Sequence, residues 1–224
     1  MARAVIDVMP AEDLVYVGDT GRYPYGPRAA AEVREFAREI AWSLVREHDV
    51  KAIVVACNTA SAAAFTELLH ELPVPVVSVV EPGARALSLA TRSRRVAVIG
   101  TVGTISSGAY QRALADVDAS LELTASACPG FVEFVERGQT SGDEVMLLAE
   151  RLLAPVVDAD VDALLADPRV TIIVNLTIPR AHVAVGLVLH AGDALDAAGY
   201  EDVALAGDDA LRGHRDGLKA RGAE

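Results

Sequence analysis

The sequence predicts an α/β protein built mainly on parallel sheet, and three observations carry that prediction. Short apolar runs rich in β-branched residues recur, such as Ala52-Ile53-Val54-Val55-Ala56. They lack polar alternation, which is the pattern of strands covered on both faces. Segments of helical spacing separate these runs, such as Val33, Phe36, Ile40 and Leu44 with charges between them. The alternation of the two continues along almost the whole chain, without a fixed repeat or a low-complexity linker.

The elements follow in order. Ala4, Val5 and Val8 suggest a short amphipathic helix ended by Pro10. Leu14 to Val17 reads as a buried strand, and Gly18 to Arg28 as a Gly- and Pro-rich loop containing Tyr23-Pro24-Tyr25-Gly26-Pro27. A helix from Ala29 to His48 precedes the Ala52 strand, and a second helix follows it to about Leu72, with Asn58 or Thr59 as cap. Pro73 opens a strand over Val74 to Val80, which Glu81-Pro82-Gly83 closes before a helix to about Thr91. Arg95 to Gly100 is a strand, Thr101 to Gly108 a Gly/Ser/Thr loop, and Ala109 to Leu114 a helix. Leu121 to Ala127 is a strand, with helices over Gly130 to Arg137 and Gly142 to Leu153. A strand at Val170 to Val174, a helix at Arg180 to His190, a strand at Val203 to Ala206 and a polar helix at Asp208 to Ala220 complete the pattern.

The 224 residues suffice for one large or two small α/β domains. With 52% hydrophobic but only 4% aromatic residues, the core must be Ala, Val and Leu. A formal charge of −12 argues against nucleic acid or anionic membrane as a general partner. The two cysteines, Cys57 and Cys128, offer neither a metal-ligand spacing nor a disulfide framework. The first ten residues are too short and polar for a signal peptide, and no run approaches about 20 apolar residues. A soluble, cytoplasmic protein is expected.

Cys57 falls where a parallel strand ends and a helix begins, the edge at which open α/β sheets bind ligands. Free N–H groups and the helix dipole there favour thiolate over thiol. The competing reading is a buried structural thiol. VVACNTASA around Cys57 resembles the first cysteine motif of glutamate racemases, in the aspartate/glutamate racemase superfamily. DLVYVGDTGRYPYGPR (Asp13 to Arg28) and VIGTVGTISSGAYQRAL (Val98 to Leu114) resemble further family segments in the same order, so the resemblance runs from about Ala2 to Ala154.

The resemblance implies two similar α/β domains facing each other across a cleft. The expected division is 1–83 and 84–199, with 200–224 returning to the first domain. It implies cofactor-independent racemisation of glutamate, without a metal, for peptidoglycan synthesis, and it is compatible with a homodimer. Two cysteines would act on opposite faces of the substrate, one as base and the other as acid, and Cys57 matches the first. Asn58, Thr59, Tyr25 and Gly26 match substrate contacts. Asn58 and Thr59 could equally be helix caps, and Tyr25-Gly26 a plain turn. Thr101, Thr104, Ser106 and Ser107 could bind a carboxylate or start a helix; Thr101 and Thr104 are the better candidates. Glu81 reads best as a helix-start carboxylate, Cys128 as a structural thiol, and His182 as an ordinary surface or core histidine.

Two departures qualify this. The family opens with a strand and an Asp-Ser-Gly loop that this chain lacks, so the first domain is expected without its first strand. After about Asp158 the family carries its second cysteine in a Gly-Cys-Thr-His-Tyr-Pro segment, whereas here VTIIVNLTIP stands at Val170 to Pro179. Asp160 to Gly192 instead resembles part of the NAD(P)-binding domain of the glucose–fructose oxidoreductase family, without a Gly-rich phosphate loop. Racemisation is therefore expected to be impaired. The alternatives are a non-catalytic α/β fragment or carboxylate binder, and a remnant of an NAD(P)-dependent oxidoreductase.

Overall fold

The computed structural model describes residues 1–91, 93–157 and 173–174. Helices and strands alternate, as the fold class requires. In order they are α1 (Ala2–Val8), α2 (Ala30–His48), β1 (Ile53–Val55), α3 (Asn58–Glu71), β2 (Val76–Ser78) and α4 (Val80–Ala90). Then come β3 (Arg95–Gly100), α5 (Val102–Ser106), α6 (Ala109–Asp118), β4 (Glu122–Ala127), α7 (Phe131–Glu136), α8 (Asp143–Val157) and β5 (Ile173–Val174).

Among the described residues, the pairings of β1 with β2 and of β3 with β4 and β5 are all parallel. β1 pairs with β2 in one sheet, with Val54 opposite Val77. β3 lies between β4 and β5 in the other, with Val98 opposite Ala125 and Ile173. The strand alternation explains how these sheets are covered. Ile53 and Val55 of β1 enter a core with Val33, Leu44 and Leu68 from α2 and α3, while Val54 points the other way, onto Val5 of α1. Val96 and Val98 of β3 join Val80, Leu87, Tyr110 and Leu114 on one face; Ala97 and Ile99 join Phe131 and Val156 on the other. Such burial of both faces is why these runs carry no polar alternation. The change from the first core to the second falls between Val76 and Val80.

Four expectations need correction. Leu14 to Val17 is not a buried strand. It forms no ladder, Tyr16 is exposed, and Leu14, Val15 and Val17 only lean on the cores. An apolar alternation without a hydrogen-bonding neighbour gives extended chain, not strand. Glu81-Pro82-Gly83 does not close a strand. It lies in the first turn of α4, where the Val80 N–H donates to Ser78 Oγ at 3.0 Å and Pro82 needs no N–H partner. Glu81 is thus the helix-start carboxylate it was expected to be. Thr101 to Gly108 is not a loop. Thr101 Oγ1 accepts from Thr104 N at 3.2 Å and caps α5. The cap of α3 is Cys57, not Asn58 or Thr59.

Within Val170 to Val174 only β5 is described. The expected helices and strand from Arg180 to Ala220, His182 among them, lie outside the described residues, as does the division involving 200–224. Among the described residues, no helix is long and apolar enough to cross a membrane, and no group of three or more His, Cys, Asp or Glu is placed to hold a metal.

Candidate functional site

β1 ends against the start of α3, and that junction builds the site. The chain leaves the sheet at Cys57 with φ −94° and ψ 123°, then turns into helix. Cys57 Sγ accepts from Ala60 N at 3.5 Å, and Ser61 Oγ donates to the Val55 carbonyl at 2.8 Å. The two bonds tie the first turn of α3 to the end of its strand. They fix the thiol and the residues beside it, Asn58 and Thr59.

Burial dominates the thiol's chemistry. Cys57 is 5% exposed, and removal from water pushes its pKa up. Hydrogen bonds from Ala60 and Thr59 pull the other way without reversing it. The helix start favours the thiolate, as its position suggested, and desolvation opposes it more strongly. Because the fold holds the proton, iodoacetamide should alkylate Cys57 slowly at pH 7. The rate should climb only above the ordinary thiol value of about 8.5, and mass-mapped alkylation across pH 6–10 checks this. The linkage has the same sign. Above about pH 8.5 the unfolded thiol loses its proton while the folded one keeps it, so the thiol's contribution lowers stability as pH rises.

Asn58, Thr59, Thr101 and Thr104 come together. Thr59 Oγ1 lies 2.9 Å from Thr101 Oγ1 and 3.2 Å from Thr104 Oγ1, and the latter two are 3.0 Å apart. Three hydroxyls thereby close a triangle between α3 and the start of α5, beside Cys57. Ser106 and Ser107 do not join it: Ser107 Oγ donates to the Thr104 carbonyl, and Ser106 Oγ to that of Gly103. Across the same junction, the Tyr110 hydroxyl of α6 donates to Asn58 Oδ1 at 2.8 Å.

Tyr25 and Gly26 reach this junction through backbone. Gly103 N donates to the Gly26 carbonyl at 3.1 Å. A Cβ on Gly26 would stand 2.8 Å from both Cβ and Cγ2 of Thr101, so only glycine fits. Tyr25 itself is 1% exposed and packs in the first core. Its hydroxyl donates to Asp19 Oδ2 at 2.6 Å, and Arg22 Nε donates to the same oxygen at 2.6 Å. Arg22 continues to Glu39 and lies 4.2 Å over the Phe36 ring. Burial first, then Asp19, pushes the Tyr25 phenol far up, so it remains a donor.

Sequence reasoning missed Asp19, Arg22 and Tyr110. Asp19 is 8% exposed, and a carboxylate so buried has to be paired. Its available signal was Arg three residues on and Tyr six residues on, in a turn. Cys128 takes no part in the junction. It is 2% exposed, its backbone N–H donates to the Gly100 carbonyl at 2.8 Å, and its thiol donates to the Ser126 carbonyl at 3.8 Å.

Residues 1–165 match the family model described as Asp/Glu/Hydantoin racemase. The chain is 50% identical over 165 residues to the glutamate racemase of Parafrankia sp., covering 74% of this chain and 59% of that one. Among solved structures, a glutamate racemase isoform from Bacillus anthracis superposes with a TM-score of 0.69 at 35% identity, over 78% of this chain and 71% of that one. Glutamate racemase from Francisella tularensis, solved in complex with D-glutamate, gives 0.64 at 34% identity, over 70% and 59%. The chain thus spans about three fifths of the length of the curated relatives it matches. On the family model that covers residues 1–165 and on these likenesses, the chain belongs to the Asp/Glu/Hydantoin racemase family.

Proposed function

We propose that the chain carries the first-cysteine half of a cofactor-independent glutamate racemase that supplies D-glutamate for peptidoglycan. The observation that carries this is Cys57 at the end of β1, capping α3 and flanked by Asn58 and the Thr59, Thr101 and Thr104 hydroxyls. The relatives named glutamate racemase, one of them solved with D-glutamate, supply the substrate. In this reading, N–H and O–H donors at the junction hold a substrate carboxylate. The Gly26 backbone closes the pocket wall. Cys57 gives its proton to solvent, takes the α-proton as thiolate, and returns a proton to the same face of the carbanion. Inversion needs a second acid on the opposite face.

The chain acts in the cytoplasm, on a small molecule and not on nucleic acid or membrane, with or without a second copy of itself. Two α/β units, divided near Gly83, contribute to the pocket. The resemblance of Asp160 to Gly192 to an oxidoreductase domain concerns a segment of which only Ile173–Val174 is described.

A second reading is a glutamate binder without turnover. The burial of Cys57, 5% exposed, favours it, because removal from water opposes formation of the thiolate base. Proton exchange of L- and D-glutamate in D₂O, followed by NMR and optical rotation, separates the two. Loss of the α-proton signal supports the racemase reading. Its retention, with saturable binding by a folded chain, supports the binder.

A further inference from the structure

The Asp19 carboxylate is fixed within its own loop before it meets Tyr25. The Arg22 backbone N–H donates to Oδ1 at 3.2 Å, closing a local turn. Arg22 Nε and the Tyr25 hydroxyl then share Oδ2, each at 2.6 Å. Arg22 is itself tied to α2, by Glu39 and by the Phe36 ring beneath its guanidinium. The carboxylate is therefore a fixed post at the tip of the Tyr25 ring.

The base of that ring carries the turn that meets α5. Apolar packing is non-directional, so a ring in an apolar slot can slide along its axis at small cost. A hydrogen bond at its tip has a steep distance dependence and sets how far it slides. Gly26 follows Tyr25 directly and has no slack. Its α-carbon lies against Thr101, and its carbonyl takes the Gly103 N–H at 3.1 Å. Gly103 is equally tight, since a Cβ there would stand 3.2 Å from that carbonyl oxygen and 3.1 Å from Thr59 Cγ2. A small slide of Tyr25 either lengthens the Gly103 bond or drives Gly26 into Thr101.

We propose that Asp19 is a positioning residue: through the Tyr25 hydroxyl it sets how closely Gly26 approaches α5, and so the fit of the pocket wall beside Cys57. This rests on the function proposed above.

The test compares the full chain with Tyr25→Phe, Asp19→Asn, the double variant and Val5→Ala. The Gly103 amide is followed in ¹H–¹⁵N spectra of the ligand-free chain, and glutamate affinity by NMR titration. Tyr25→Phe removes one oxygen and keeps the ring. Asp19→Asn keeps the shape but turns an NH₂ end toward a donor of Arg22 in either flip. Both should move the Gly103 proton upfield as its bond to Gly26 lengthens. Both should weaken glutamate binding about three- to tenfold, the span of one net hydrogen bond. The double variant should go no further than Asp19→Asn, because the two changes act through one bond. Val5→Ala, in the core under α1 that excludes Tyr25, should lower the urea midpoint and leave Gly103 in place. An unmoved Gly103 in Tyr25→Phe would overturn the proposal. So would additive effects, an equal shift in Val5→Ala, or a shifted Gly103 with unchanged affinity. Should the unmodified chain bind no glutamate, the proposed function falls, and the Gly103 resonance still decides whether Asp19 sets the turn.

Discussion

Replacing Cys57 by serine should abolish the proposed α-proton exchange of glutamate while the chain stays folded. Serine keeps an oxygen where Sγ accepts from Ala60 N, so the cap of α3 survives. Its hydroxyl is far too weak an acid to form an oxyanion near neutral pH, so the base is lost. Removing a positioned base typically costs about 10²- to 10⁴-fold. Here the exchange rate in D₂O should fall to that of free glutamate. Cys57→Ala should do the same and lose about 1 kcal/mol more stability, the usual cost of a missing cap. Cys128→Ala is the contrast. That thiol is buried with Ala97, Ile99 and Phe131 and bonded to Ser126, so exchange should be unchanged. Exchange that persists in Cys57→Ser would remove Cys57 from the chemistry, and loss in Cys128→Ala would move the base there.

Gly26→Ala should be the most damaging single-methyl change at the site. The added carbon would meet Thr101 Cβ and Cγ2 at 2.8 Å, and Thr101 Cβ hangs directly on the backbone of the α5 cap. It cannot swing aside as the tip of a long chain would. Overpacking of this kind costs about 1–3 kcal/mol. The only relief is to part the Tyr25–Gly26 turn from α5, which breaks the Gly103 N–H bond to the Gly26 carbonyl and pulls Thr101 from Thr59. The urea midpoint should fall and glutamate binding should weaken together. Gly21→Ala, with nothing within 4 Å of the added carbon, should change stability by less than about 0.5 kcal/mol. Equal midpoints for the two variants would show that the close approach at Gly26 carries no weight.

Much of this fold was legible because its rules are local. β3 occupies Arg95–Gly100 as its apolar run required, and α2 buries Val33, Ile40 and Leu44 as their spacing required. What was not legible depended on neighbours. Leu14 to Val17 has strand composition, but a ladder needs a second strand, and composition does not say whether one is adjacent. Thr101 to Gly108 has loop composition, but one side-chain cap at Thr101 turns it into α5. At the site, Cys57, Asn58 and Thr59 were visible through their motif. The Tyr110 bond to Asn58 spans 52 residues of sequence, and no periodicity reports such a distance. The sequence left Cys57 open between thiolate and buried thiol for a related reason: the helix start is written in the sequence, whereas the depth of burial is a sum over the residues of the first core.

The hydroxyl triangle has an arithmetic of its own. Thr59, Thr101 and Thr104 own one hydroxyl proton each, and three oxygen–oxygen edges of 2.9, 3.0 and 3.2 Å can use all three. A carboxylate oxygen arriving there can only accept, so it must take a proton from an edge. Each proton it takes opens one link of the ring, and two of the three links join α3 to α5. An anion and the direct link from one helix to the other therefore draw on the same hydrogens, and a bound carboxylate would replace hydroxyl–hydroxyl links with bonds through itself.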